Sequence, residues 1–334
     1  MAIYPKLKSD GATVAIFLLL GLAYLLKVDV INFNLIEFFG AEIKESIPTD
    51  SFAYPPLLEP LIEWQPSHPL LTLLISAALV VLGAVNTMSL TIKFNLFSAV
   101  THIPSIIYTS VLVAIITPSQ MILAPLTALL TIMSLNKIYD SYTSNLSAPQ
   151  IYSGCFWIGV LPLIYPSMLP LLLSFFGVMV VLDRGGRELF LAGWAMATPF
   201  VLVLYAAWFC DISIWGLIAE YFVNLVRLPY SFAGEIVPIL YILLSAGLSV
   251  YSVVMIDEIS LAFHSRQRII FTVTLAVIPI CSILFPLFTP AHYAVVAAPA
   301  AITLTTAFLE LDKLKATIAY VTFIVLAIVI GLTH

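Results

Sequence analysis

The sequence predicts an all-α fold, a polytopic transmembrane bundle of about ten or eleven spans, and three observations carry that reading. Composition comes first. Of 334 residues 62% are hydrophobic and 9% charged, whereas a soluble domain carries about 25% charged residues. So few charges cannot cover a water-facing surface of this size, and lipid must be the main solvent. Second, the apolar stretches are long and continuous, whereas a membrane barrel alternates apolar and polar residues in segments of about ten. Third, the basic residues sort by side once the spans are placed.

A spanning helix needs about 20 apolar residues to cross about 30 Å of hydrocarbon. Spans are expected near 11–27, 68–91, 97–117, 119–137, 151–166, 167–183, 188–209, 235–256, 268–288, 290–309 and 314–332. The short fifth is the candidate for a re-entrant segment. With the N-terminus inside, Lys6, Lys8, Lys93, Lys137, Arg184, Arg187, Arg266, Arg268, Lys313 and Lys315 all fall on the cytoplasmic side. Lys27, Lys44 and Arg227 fall outside. This is the positive-inside bias. The first apolar stretch, Thr13 to Leu26, runs into Lys27-Val28-Asp29 rather than a small-residue cleavage site, so it reads as a retained span. The whole chain, 1–334, reads as a single membrane domain.

Two external connections exceed simple turns. Residues 28–67 form an acidic segment holding Asp29, Glu37, Glu42, Glu45, Asp50, Glu59 and Glu63, with an aromatic-rich amphipathic start and a proline-rich end beside Trp64. Residues 211–234 place Ile212, Trp215, Ile218, Ala219, Phe222, Leu225 and Val226 at helical spacing, as an interfacial helix requires. Pro104, Pro125, Pro162, Pro170, Pro199, Pro238, Pro279 and Pro299 fall within expected spans and predict kinks. No charged residue falls at the centre of an expected span, which disfavours an ion-coupled pump.

The chemistry-bearing patterns are sparse. His68, His102, His264, His292 and His334 include no i, i+4 pair and no HExxH, so neither a metal site nor a cofactor is expected. Cys155, Cys210 and Cys281 lie far apart and read as buried thiols. A net charge of −5 without a basic stripe implies no nucleic-acid partner. Arg184-Gly185-Gly186-Arg187 reads as a tight cytoplasmic turn whose two cations suit an anionic lipid headgroup.

Between about Asn95 and Tyr205 the chain resembles an uncharacterised family of polytopic inner-membrane proteins from Bacteroidota. The resemblance is carried by Asn95-Leu96-Phe97, His102-Ile103-Pro104, Ala124-Pro125-Leu126, Leu135-Asn136-Lys137-Ile138-Tyr139, Gly154-Cys155-Phe156-Trp157-Ile158-Gly159, Arg187-Glu188 and Pro199-Phe200. It implies a multi-pass location in a bacterial inner membrane and hands over no catalytic residue.

Three functions compete. One is a subunit or scaffold in envelope biogenesis or secretion, without its own catalytic site, contacting membrane lipids and a membrane-protein partner. Another is an enzyme: the acidic first external segment is similar to that of multi-span glycosyltransferases using polyprenyl-phosphate sugars. There Asp29, Glu37 or Asp50 would be the general base, and Lys44 or Arg227 would meet the donor phosphate. The last is a transporter of lipid or amphipathic solute.

Overall fold

The computed structural model describes residues 67–97, 101–116, 121–143, 147–226, 294–310 and 313–333, with isolated residues 20–21, 61, 64–65, 240, 244 and 247. The described residues contain no strand. The helices are α1 (Pro69–Lys93), α2 (Ile103–Ile115), α3 (Leu123–Thr143), α4 (Ser147–Ile164), α5 (Leu172–Val181), α6 (Gly186–Phe209), α7 (Ile214–Val226), α8 (Ala297–Glu310) and α9 (Lys313–Thr333). A 3-10 turn, Pro166–Leu171, joins α4 to α5.

Among the described residues three helices are long and apolar enough to cross a membrane: α1, α6, and residues Leu314–Gly331 of α9. Their outward faces are apolar. On α1 the exposed residues Leu70, Leu74, Val81 and Val85 recur at helical spacing, as do Leu314, Ile318, Val321, Val325 and Val329 on α9. The inward face of α1 carries the hydroxyls of Thr72, Ser76, Thr87 and Thr91 beside Val80, Gly83, Ala84 and Leu90. Large apolar side chains outside with hydroxyls among those inside depart from the pattern of a water-soluble helix, and lipid is the solvent that rewards it.

The centre is built of shorter pieces. Twelve of the thirteen residues of α2 are buried, and α2 packs against α1, α8 and α9. At 1.5 Å per residue α2 and α8 reach only about 20 Å, too short to cross the hydrocarbon alone. Within the expected spans at 97–117 and 290–309 the described helices are short and buried. Expected span five, the re-entrant candidate, is a continuous helix, whereas span six (167–183) is broken into the 3-10 turn and the ten-residue α5. Spans expected at 11–27, 235–256 and 268–288 fall largely outside the described residues, as does most of segment 28–67.

Specific contacts set direction and depth. Lys93 at the end of α1 meets Asp140 and Asn136 near the end of α3. One helix length away, the Ser76 hydroxyl donates to the Met121 carbonyl ahead of α3. Thus α1 and α3 run parallel. The Ser105 hydroxyl donates to the Ala84 carbonyl at 3.1 Å, and Tyr108 lies against Gly83, so α2 returns antiparallel along α1. Pro69 stands seven residues, about 10 Å, beyond the level at which α3 begins. Likewise α6 runs about 12 Å past the end of α4, measured from the Gly159–Met196 contact. The central helices thus end well below the tips of α1 and α6.

Glycines set the closest approaches. A Cβ on Gly159 would collide with the Met196 backbone, and one on Gly331 would lie 2.9 Å from the Val113 carbonyl oxygen. Without these side chains α4 seats on α6, and α9 on α2, nearly backbone to backbone.

Of the six expected-span prolines among the described residues three start helices; Pro170 lies in the 3-10 turn, and Pro238 and Pro279 lie outside the described residues. Pro104, Pro125 and Pro299 occupy first turns, where the missing N–H has no intrahelical acceptor anyway; Pro162 and Pro199 lie inside α4 and α6. α1, α5 and α6 end alike, with Asn95, Asp183 and Asp211 at φ 49, 56 and 56°. The next residue's N–H in each case reaches back to the carbonyl of Thr91, Met179 or Ala207. This Schellman arrangement closes a helix with Asn or Asp in the left-handed position.

Replacing Gly159 with valine is expected to cost about 2 kcal/mol through overpacking. Gly193→Ala, whose new methyl would meet only the Phe176 ring at 3.4 Å, is expected to be neutral. Thermal unfolding of both variants in the same detergent checks the contrast.

Candidate functional site

Three polar features stand out in this apolar frame. At the end of the bundle where α1 and α3 finish, charges interlock. Lys93 Nζ lies 2.5 Å from an Asp140 carboxylate oxygen and 3.3 Å from Asn136 Oδ1. One residue on, Ser141 Oγ accepts from Arg184 Nη2 at 3.0 Å. Arg184 also pairs with Glu188 at 3.4 Å and lies over the Tyr142 ring. Glu188 accepts from Ser147 Oγ at the start of α4. The network therefore fastens the ends of α1 and α3, the start of α4 and the α5–α6 turn together. It contains the basic residues Lys93 and Arg184 that the charge bias assigned to one side.

Of the sequence-derived candidates, Asp29, Glu37, Asp50, Lys44 and Arg227 lie outside the described residues. Arg184 and Arg187 are described and differ in role. The Arg184 guanidinium is occupied by Ser141, Glu188 and Tyr142, whereas Arg187 is exposed on the first turn of α6. The tight turn draws its left-handed residue from Asp183 rather than from Gly185, which has φ −67°. Sequence reasoning did not find Ser141, Ser147 or Glu188 as partners. Their only signal was proximity to helix ends. Among the described residues no three His, Cys, Asp or Glu converge as metal ligands.

The second feature is the interior seam. Thr87, Thr109, Ser110 and Thr131 are buried and donate to carbonyls four residues back on their own helices, which satisfies them without a neighbour. The Tyr108 hydroxyl and Ser134 Oγ are buried without a hydrogen-bond partner, as are both amide atoms of Gln65. Uncharged donors and acceptors of this kind can meet a neutral polar group but cannot neutralise an ion's charge.

The third feature is α7. Tyr221 Oη donates to the Pro162 carbonyl at 3.1 Å, and its ring meets Phe200 edge to face at 5.8 Å. The Pro162 oxygen needs that donor. Its helical partner would be the N–H of residue 166, and Pro166 has none. Burial raises the Tyr221 phenol above its usual range, so it stays protonated and able to donate. Exposed aromatics form a ridge over α6 and α7: Phe190 and Trp194 toward one end, and Tyr205, Trp208, Phe209 and Trp215 toward the other.

Taken together, the long apolar helices, inverted polarity and polar end network define an α-helical membrane protein. Comparison with protein families, with curated proteins and with solved structures finds no match.

Two stability outcomes follow. Glu188→Ala leaves a largely buried guanidinium short of a partner and is expected to cost about 2 kcal/mol, while Arg187→Met changes stability by no more than about 0.5 kcal/mol. Tyr108→Phe removes an unpartnered hydroxyl and is expected to be neutral or stabilising by up to about 1 kcal/mol. Thermal denaturation measures both, and a clear loss in Tyr108→Phe would show that its hydroxyl is engaged.

Proposed function

We propose that the protein is a multi-pass bacterial inner-membrane subunit or scaffold in envelope biogenesis or secretion, with its N-terminus inside and the Lys93–Arg184 end facing the cytoplasm. The observation that carries this reading is the exposed aromatic ridge on α6 and α7. Large rigid rings present much contact area at little entropic cost, which suits docking to another membrane protein. The resemblance to the Bacteroidota family and the positive-inside bias support the location. Arg187, exposed beside the end network, is the cation best placed for an anionic headgroup.

Transport of a neutral or amphipathic solute is the second reading. It is favoured by the short buried helices α2 and α8, since interrupted helices at the centre of a membrane bundle commonly surround a substrate path. The glycosyltransferase reading rests on Asp29, Glu37 and Asp50, and intact cellular function after alanine replacement of all three would remove it.

Purification from native membranes in mild detergent, followed by mass spectrometry, tests the subunit reading. A stoichiometric partner lost on Trp208→Ala with Trp215→Ser is the expected result. A lone monomer, or a partner retained by that double variant, would overturn it.

A further inference from the structure

α7 is built differently from the helices around it. Its own cap starts it: Ser213 Oγ accepts from the Gly216 N–H at 3.2 Å, and the Ser213 carbonyl accepts from Leu217. The preceding helix is closed independently, because Asp211 is left-handed and the Ile212 N–H returns to the Ala207 carbonyl. Two self-contained rigid helices are thus joined by little more than Asp211 and Ile212, and backbone rotation there moves α7 without unwinding either.

The hold on α7 is narrow. Among the described residues, none of its apolar side chains joins the main apolar cluster, which does include Tyr165 and Met168 of the segment beneath it. Among the described residues, what fastens it are the Tyr221 hydroxyl on the Pro162 carbonyl, the Tyr221 ring on Phe200 and a half-buried face of Ile214, Leu217 and Ile218. Its other side already faces outward: Trp215 is 80% exposed, and Phe222 and Val223 are exposed too. Lifting α7 in a membrane interface would therefore leave those residues in surroundings they already occupy.

We propose that α7 is a lid, hinged at Asp211–Ile212 and latched by Tyr221 onto the broken end of α4. Its release uncovers the Pro162 carbonyl, an acceptor with no intrahelical donor, together with the 3-10 turn that follows. The inference rests on this geometry alone and stands whether or not the ridge docks a partner.

Hydrogen–deuterium exchange on the full chain in lipid nanodiscs tests it. In the wild type, amides of 214–226 are expected to exchange together and faster than those of α4. Tyr221→Phe keeps the ring and loses the hydroxyl, and should speed exchange of 214–226 by about tenfold while leaving α1 to α3 unchanged. Phe200→Leu, which removes the ring contact, should act in the same direction. Unchanged exchange in both variants, or an increase spread over α1 to α3, would overturn the lid and leave Tyr221 as a static brace.

Discussion

In a bilayer no water stands ready to satisfy a backbone carbonyl, so every helix that ends below the membrane surface must find its partners within the protein. That constraint organises this molecule. α3 and α4 stop about 10 Å short of the tips of α1 and α6, and a loose carbonyl at each is met by a hydroxyl from a taller or later element. Ser76 supplies Met121, and Tyr221 supplies Pro162. The second case is the sharper one, because a proline four residues on makes the intrahelical bond chemically impossible. A helix that looks peripheral, α7, is thereby tied to the completion of one in the core.

Packing follows from the same solvent. Lipid provides no hydrophobic drive between helices, so close approach and polar contacts must provide the cohesion. Gly159 and Gly331 permit that approach, and the Lys93–Asp140 and Arg184–Glu188 pairs lock one end, where water and protein meet. Along the seam between, Thr87, Thr109, Ser110 and Thr131 satisfy themselves on their own helices, which lets them line an interior without a neighbour. The Tyr108 hydroxyl and Ser134 Oγ depart from that pattern, the former pressed against Gly83 at the crossing of α1 and α2.

Much of the class was legible and less of the architecture. The low charge fraction and unbroken apolar runs identify helices in lipid, and α1, α6 and α9 emerge close to where hydropathy puts them. A proline within a long apolar run usually bends it, so the sequence predicts kinks. Pro104, Pro125 and Pro299 instead stand in first turns, and the helices that Pro104 and Pro299 begin, α2 and α8, are short. Expected span five begins only at Ile151 because Ser147 to Gln150 lacks a large apolar side chain, yet those residues form the first turn of α4. The Arg184–Arg187 turn was recognised, but Arg184's partners lie on α3 and α6, separated from it by up to 43 residues.

Sequence alone determined the solvent and the helical class, because transfer free energies act residue by residue. Tertiary structure decided how deep each helix sits, which glycines touch backbone, and which hydroxyl meets which orphaned carbonyl. These depend on distances between elements far apart in the chain. No local pattern around Tyr221 announces that its phenol completes a helix ending at Ile164, since the need for it arises from two prolines about sixty residues earlier.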